Sequence, residues 1–310
     1  MPTLRIGTRG SPLALAQTEA TRRQLIARCP ELGEPGAIAI VVIKTTGDKI
    51  LDRPLAEIGG KGLFTKEIDE ALLDARIDIA VHSVKDLPTR LPDGLVLAAS
   101  LPREDPRDVL IGRAATSISA IPAAAVVGTA SLRRQAQLLY HRPDIKVVPL
   151  RGNVQTRLAR VSGGEIDATL LALAGLRRLD MTEVIAAVLD PTEMLPAVGQ
   201  GAIGVTCRTG DAGTRGLLAA LDDGDTSLRI AAERAMLEVL DGSCRTPIAG
   251  LAEVTGPGRI TLRGLIARPD GSRMIESVRE DSSRAAHGLG VAVGEELLRL
   301  SGPDFFYAAE

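Results

Sequence analysis

Ala125-Val126-Val127-Gly128-Thr129-Ala130-Ser131-Leu132-Arg133-Arg134 is the stretch from which the fold is read: an apolar run turning through glycine into hydroxyl residues and paired arginines. The logic repeats at once. Ile145 to Leu150 is apolar and leads into Arg151-Gly152-Asn153-Val154-Gln155-Thr156-Arg157. In both copies a strand gives way to a helix start, with Ser131 or Asn153 as the N-cap. The first N–H groups of a helix lack internal partners and sit at the positive end of its dipole, so they attract carboxylate or phosphate. Arginine adds a planar fork that grips a carboxylate through two bonds, each charge-assisted bond contributing about 1.5–3 kcal/mol. A single arginine in such a place reads equally well as a solvated surface group. A set of them opposes the helix dipole and calls for a compensating anion.

The 310 residues suffice for two or three domains, and a hydrophobic content of 45% supports real cores. A net charge of −2 and a pI near 6.0 argue against a general binder of nucleic acid or membrane surfaces, so the anion is expected to be a small molecule. Only six of the 37 basic residues are lysine (Lys44, Lys49, Lys61, Lys66, Lys85, Lys146). Cys29, Cys207 and Cys244 are odd in number and lack metal-ligand spacing, which points to a reducing compartment with no metal and no disulfide framework. The start Met1-Pro2-Thr3-Leu4-Arg5 has no signal-peptide apolar run, and no stretch is long enough for a membrane helix. A cytoplasmic protein is expected.

Leu4 to Thr8 reads as a strand, and Arg9-Gly10-Ser11-Pro12 turns it into a helix to about Arg28, with Ser11 as N-cap and Pro12 as first helical residue. Ala37 to Lys44 reads as a strand buried in a parallel sheet. Thr45 to Gly62, with Gly59-Gly60-Lys61-Gly62, is too glycine-rich for a regular element and is expected to be a lid. A helix from about Phe64 to Arg76 precedes the strand Asp78 to Ser83, which runs into Val84-Lys85-Asp86. Lysine and aspartate beyond a strand C-terminus lie where open α/β sheets hold their ligands. His82 reads as a packed core histidine, and neither a serine-histidine-aspartate nor a histidine-metal constellation can be assembled with His141 and His287.

Pro102 to Arg107 reads as a crossover into a second lobe, which contains the opening stretch, the strand Asp167 to Ala172, a helix start at Gly175-Leu176-Arg177-Arg178, and Leu195-Pro196-Ala197-Val198-Gly199-Gln200. Ala202 to Cys207 is strand-like and is expected to return to the first sheet. Two lobes joined by two crossovers predict a cleft, with Arg9 and Lys85 facing Arg133, Arg134, Arg151 and Arg157 across it. Beyond Leu221 come a helix over Ser227 to Leu240, three strands (Ile248 to Val254, Arg259 to Ala267, Arg273 to Arg279) and a last helix over Ser283 to Leu300. Phe305, Phe306 and Tyr307 are expected to dock the tail. Cys29 and Cys207 read as small core residues. Cys244 follows Gly242-Ser243 and precedes Arg245, so its sulfur is expected to be accessible and biased toward thiolate, a candidate for covalent attachment.

Together these residues resemble the porphobilinogen deaminase (hydroxymethylbilane synthase) family over nearly the whole chain. Glu233-Arg234-Ala235-Met236 and Leu240-Asp241-Gly242-Ser243-Cys244-Arg245-Thr246-Pro247-Ile248-Ala249 are similar to its cofactor-attachment signature. Arg9-Gly10-Ser11-Pro12-Leu13-Ala14, Gly59-Gly60-Lys61-Gly62-Leu63-Phe64, His82-Ser83-Val84-Lys85-Asp86, Ser131-Leu132-Arg133-Arg134 and Leu150-Arg151-Gly152-Asn153 resemble its other motifs in the right order. The resemblance implies an α/β protein of two doubly wound, periplasmic-binding-protein-like lobes around a cleft, with a smaller α+β C-terminal domain built on a three-stranded antiparallel sheet. The expected division is 1–101 with 200–219, then 102–199, then 220–310.

The resemblance further implies a transferase of heme and chlorophyll-type tetrapyrrole biosynthesis. Cys244 would carry a dipyrromethane through a thioether, four porphobilinogens would be added with loss of ammonia, and water would release the linear hydroxymethylbilane. Asp86 would stabilise the positive charge that develops on the pyrrole as ammonia leaves, as a fixed carboxylate can. Residues matching Ser11, Lys85, Thr129, Ser131, Arg133, Arg134 and Arg157 would contact the cofactor. Those matching Arg9, Gln17, Arg151, Arg178 and Gln200 would serve substrate or chain growth, and Lys61 and Phe64 would belong to the mobile cover loop and its edge. Every pyrrole unit carries an acetate and a propionate, so the arginine-rich helix mouths gain a ligand. Porphobilinogen is the expected small-molecule partner of a monomer, with no nucleic acid, membrane or metal. Ala130 departs from the family pattern, which commonly has serine there, and removes one hydroxyl.

A non-catalytic two-lobed anion-binding protein would explain the lobes and helix mouths but not the Cys244 domain. A pyridoxal-phosphate enzyme using Lys85 would show aldimine absorbance.

Overall fold

The computed structural model describes residues 3–49, 63–112, 116–240, 246–302 and 305. In chain order the elements are β1 (Leu4–Thr8), α1 (Pro12–Arg28), β2 (Ile38–Val42), α2 (Thr46–Lys49), α3 (Lys66–Leu73), β3 (Ile79–Ser83), β4 (Leu95–Ser100), β5 (Asp108–Gly112), β6 (Val126–Gly128), α4 (Leu132–His141) and β7 (Lys146–Val148). There follow α5 (Val154–Ser162), β8 (Ala168–Ala172), α6 (Leu173–Arg178), β9 (Ala187–Val188), β10 (Ile203–Arg208), α7 (Ala212–Ala219), α8 (Gly224–Val239), β11 (Ile248–Gly256), β12 (Arg259–Ala267), β13 (Met274–Ser282) and α9 (Ala286–Ser301). By internal contacts the chain divides into two compact units. One comprises Met1–Leu51, Gly60–Glu104 and Gly201–Ser227, and the other contains Asp105–Gln200 and Leu228–Glu310.

The first unit is built on a five-stranded sheet of order β2-β1-β3-β10-β4. β1 is parallel to β2 and β3, while β10 is antiparallel to β3 and β4. Successive side chains of a strand point to opposite faces, and here both faces are buried. Ile79 and Val81 pack with Leu25 of α1 and Leu218 of α7, whereas Ala80 packs with Ile68 and Leu72 of α3. The second unit repeats the plan with the order β7-β6-β8-β5-β9, three parallel strands followed by an antiparallel β5. Leu110 and Leu170 belong to the core under α4, and Val109, Ile111 and Leu171 to the core on the other face with Leu176 of α6. The antiparallel strand of each sheet is the one entered from a crossover, which is why β10 lies among strands far earlier in the chain.

β11, β12 and β13 form an antiparallel three-stranded sheet. One face packs on Met236 of α8 and on Leu289, Val293 and Leu297 of α9. The other, with Leu251, Leu265 and Ala267, packs on Ala136 of α4 and Leu195. The turn Pro269-Asp270-Gly271 reaches α4 as well, where Gln135 donates to the Pro269 carbonyl. Gly271 has φ +73°, and a Cβ there would lie 2.5 Å from the backbone nitrogen of Tyr140. Phe305 is buried in the core beside α9, with Arg268 and Arg273 over its ring; Phe306 and Tyr307 lie outside the described residues.

Four expectations change. Thr46–Lys49 forms the short helix α2 inside the stretch expected to hold no regular element. The 37–44 strand is not central: β2 is an edge strand, with Ile40 and Val42 exposed by 41% and 52%, because an apolar run does not record which faces its neighbours cover. The helix after Phe64 is shorter, ending at Leu73 before Ala75 takes a left-handed backbone. Gly175 to Arg178 closes α6 rather than opening a helix. Arg177 and Arg178 stand in the last turn, where cations complement the dipole. Among the described residues no helix is long and apolar enough to cross a membrane.

Candidate functional site

In the first unit the candidate residues gather at the C-terminal ends of β1 and β3. Ser11 caps α1, its hydroxyl accepting from the Ala14 N–H, and Pro12 follows at the first helical position. Arg9, between β1 and that cap, lies over the Phe64 ring at 4.3 Å, a cation–π contact. Gly47 is required beneath this ring, because a Cβ there would run into it. Its N–H donates to the Leu63 carbonyl at 2.8 Å, and Thr46 is held by Glu67. Lys85 and Asp86 lie in a 3-10 turn directly after β3, both half-buried. Gln17, buried in α1, holds Ser83 just before that turn: its Nε2 donates to Ser83 Oγ at 2.8 Å. His82 is a packed histidine, with Nε2 3.0 Å from the Thr206 hydroxyl; burial, and then the charge of Arg9, push its imidazole down to about 4.

In the second unit Ser131 caps α4 and Asn153 caps α5, each accepting from the N–H three residues on. Thr129 Oγ1 accepts from the Ser131 N–H, which fixes the turn between β6 and α4. Arg157 reaches back along its helix mouth to the Gly152 carbonyl at 3.0 Å, and Gly152 has φ +113°, open to glycine. Arg151 and Arg178 are half-buried.

Arg133 and Arg134 do not lie at the surface. Each is 5% exposed, and both face the fully buried Asp108 at the start of β5: Arg133 Nη2 is 2.7 Å from Oδ2, and Arg134 Nη2 is 2.7 Å from Oδ1. Arg133 also donates to the Leu195 carbonyl, and Arg134 to that of Leu170. Gln200 joins the cluster, its amide donating to Asp108 Oδ1 at 2.9 Å and to the Pro106 carbonyl at 2.7 Å. Burial alone would raise the Asp108 carboxyl, yet the two guanidiniums outweigh it and hold the group well below the ordinary carboxylate range. Part of the anion demanded by arginines in the first turn of α4 is therefore supplied from within the fold. Two cations still face one carboxylate, and the buried Nε atoms of both arginines have no hydrogen-bond partner. Donors of this kind, beside a serine-capped helix mouth, suit a ligand rich in carboxylates.

Sequence reading missed Asp108, the signal for which is an acid opening an apolar strand, Asp108-Val109-Leu110-Ile111, directly after the crossover. It also missed Gln137, which clamps Leu195 through both its N–H and carbonyl, and the part played by Glu233. The Glu233 carboxylate, fully buried, accepts from the Gly199 and Ala252 N–H groups and so ties the turn carrying Gln200 to β11. Cys244, its loop, Lys61 and most of the expected lid lie outside the described residues.

Comparison with known proteins is unambiguous. The family model "Porphobilinogen deaminase, dipyromethane cofactor binding domain" matches residues 4–216, and "Porphobilinogen deaminase, C-terminal domain" matches residues 227–299. The chain is 56% identical over 305 residues to a chloroplastic porphobilinogen deaminase of Oryza sativa subsp. japonica, covering 98% of this chain and 85% of that protein. It is 55% identical over 303 residues to porphobilinogen deaminase of Paracoccus denitrificans (strain Pd 1222), covering 98% and 96%. Among solved structures, the periplasmic VFT2 domain of Bordetella pertussis BvgS is 16% identical, covering 71% of this chain and 86% of that one at a TM-score of 0.43, too distant to bear on function. With both family models matched in order and more than half of all residues shared with such relatives, this chain belongs to the porphobilinogen deaminase family.

Proposed function

We propose that the protein is a hydroxymethylbilane synthase, a transferase of tetrapyrrole biosynthesis that joins four porphobilinogens head to tail with loss of ammonia and releases the linear product by hydrolysis. The observation that carries this reading is the match of the cofactor-binding family model to residues 4–216, continued by the C-terminal model. When bound, the dipyrromethane supplies the pyrrole end to which new units are joined.

The residues of this chain divide the work. Cys244 is the point of covalent attachment. Ser131, Thr129 and the first turn of α4 receive carboxylates, supported by the orphaned buried donors of Arg133 and Arg134 and by Arg157 at the neighbouring helix mouth. Ser11 and Lys85 add further cofactor contacts. Asp86, in the turn directly after β3, stabilises the charge that appears on the pyrrole methylene as ammonia departs, as a fixed carboxylate can. Arg9, Gln17, Arg151, Arg178 and Gln200 bind the incoming porphobilinogen units, whose acetate and propionate groups match guanidinium and amide donors. Lys61 and Phe64 belong to a cover loop that excludes water. We read the chain as 1–101 with 200–219, 102–199 and 220–310, acting as a cytoplasmic monomer with porphobilinogen as its small-molecule partner and no need of metal.

Intact mass under denaturing conditions, beside a Cys244→Ser variant, tests this reading. Excess mass equal to two linked pyrroles, absent from the variant, is expected. A bare mass that persists after incubation with porphobilinogen overturns it and favours a non-catalytic anion-binding protein.

A further inference from the structure

Three separated chain segments converge on the Asp108 carboxylate: the first turn of α4 through Arg133 and Arg134, the turn before β10 through Gln200, and β5 itself. The side chain is inaccessible to solvent, so its charge is neutralised only by these neighbours. Its Oδ1 accepts from Arg134 Nη2 and the Gln200 amide, while Oδ2 lies 2.7 Å from Arg133 Nη2 as an ion pair without a hydrogen bond. The Leu195 and Leu170 carbonyls take the other Nη atoms, and the Nε donors are left without partners. A guanidinium is a rigid fork, so fixing its Nη edge also fixes the direction of its Nε edge.

We propose that Asp108 is a positioning residue: it sets Arg133, Arg134 and Gln200 in one geometry before any ligand arrives, and so governs both loading of the primer and binding of substrate. The proposal rests on the reading of this site given above. Asn at this position keeps the size and one acceptor oxygen but removes the charge and turns an N–H₂ toward a cation. Glu restores the charge one methylene further on.

The test uses the full chain, as wild type, Asp108→Asn and Asp108→Glu. Thermal midpoint, the fraction carrying the two-pyrrole mass after incubation with porphobilinogen, and KM and kcat of the loaded molecules are measured together. For Asp108→Asn the loaded fraction is expected to fall severalfold and KM to rise about tenfold, with kcat within about threefold. Asp108→Glu should regain thermal stability and part of the loading while keeping a raised KM. A variant that melts earlier yet loads fully and keeps the wild-type KM has lost only stability, and that result overturns the proposal. If Asp108→Asn is insoluble, Asp108→Glu is judged by the same criterion. Wild-type protein that never carries the added mass would instead overturn the family reading of the site.

Discussion

Asp86 is half-buried immediately after β3, and nothing in the described fold leans on its carboxylate. Asp86→Ala is therefore expected to give a native circular dichroism spectrum and negligible consumption of porphobilinogen; near-normal turnover would remove the role assigned to it. Asp86→Glu, with its charge displaced, should fall between. Two buried groups predict opposite responses to pH. His82 sits at about 4, below its unfolded value, so its neutral form stabilises the fold above about 6.5, and that contribution is lost as pH falls toward 4. The loss is on the order of 3 kcal/mol. His82→Gln, which keeps a partner for Thr206, should flatten the acid side of a stability–pH curve. Asp69 is pushed up to about 6 by burial, and neither its Oδ1 nor the Thr65 hydroxyl has a hydrogen-bond partner. Its folded pKa is raised, so its contribution is intact below the ordinary carboxylate range and disappears as pH rises through 6. Asp69→Asn should stabilise the protein at pH 8 by on the order of 1–2 kcal/mol, with the gain shrinking between pH 6 and 4. Denaturant titrations at the two pH values decide it.

At the scale of elements, the helix mouths behave as local chemistry dictates. Ser11, Ser131 and Asn153 all cap the helices that their positions predict, since an N-cap bond spans only three residues. Ser131→Ala removes the cap of α4 and is expected to cost about 1 kcal/mol in denaturant unfolding. It should also lower the loaded fraction, because the freed N–H groups reorganise. α6 shows the limit of such local signals. Paired arginines and a glycine read equally well as the start or the end of a helix, and only the direct passage from β8 into Leu173, whose N–H reaches the Arg107 carbonyl, decided for the end. β5 was passed over because five residues carry too little periodicity, and with it went Asp108.

For the whole molecule, two five-stranded sheets share one plan, each receiving an antiparallel strand from a crossover. Around α4 the second unit keeps a buried excess of positive charge, two guanidiniums on one carboxylate. Loading an anionic group at that mouth should therefore stabilise the fold. Cys244→Ser, which cannot retain it covalently, should melt several degrees below the loaded wild type, and identical midpoints would count against a ligand at this place. The sequence by itself determined the helix mouths, the residues after β1 and β3, the antiparallel C-terminal sheet and the family, because caps, alternation and contiguous motifs are written within a few residues of one another. Only the tertiary structure decided that β2 lies at an edge, that β10 is inserted between β3 and β4, and that Arg133 and Arg134 share an aspartate 26 residues from Arg134. Those facts depend on which surfaces meet: an acid opening an apolar strand hints at a buried charge, but its partner is known only when distant segments are brought against it.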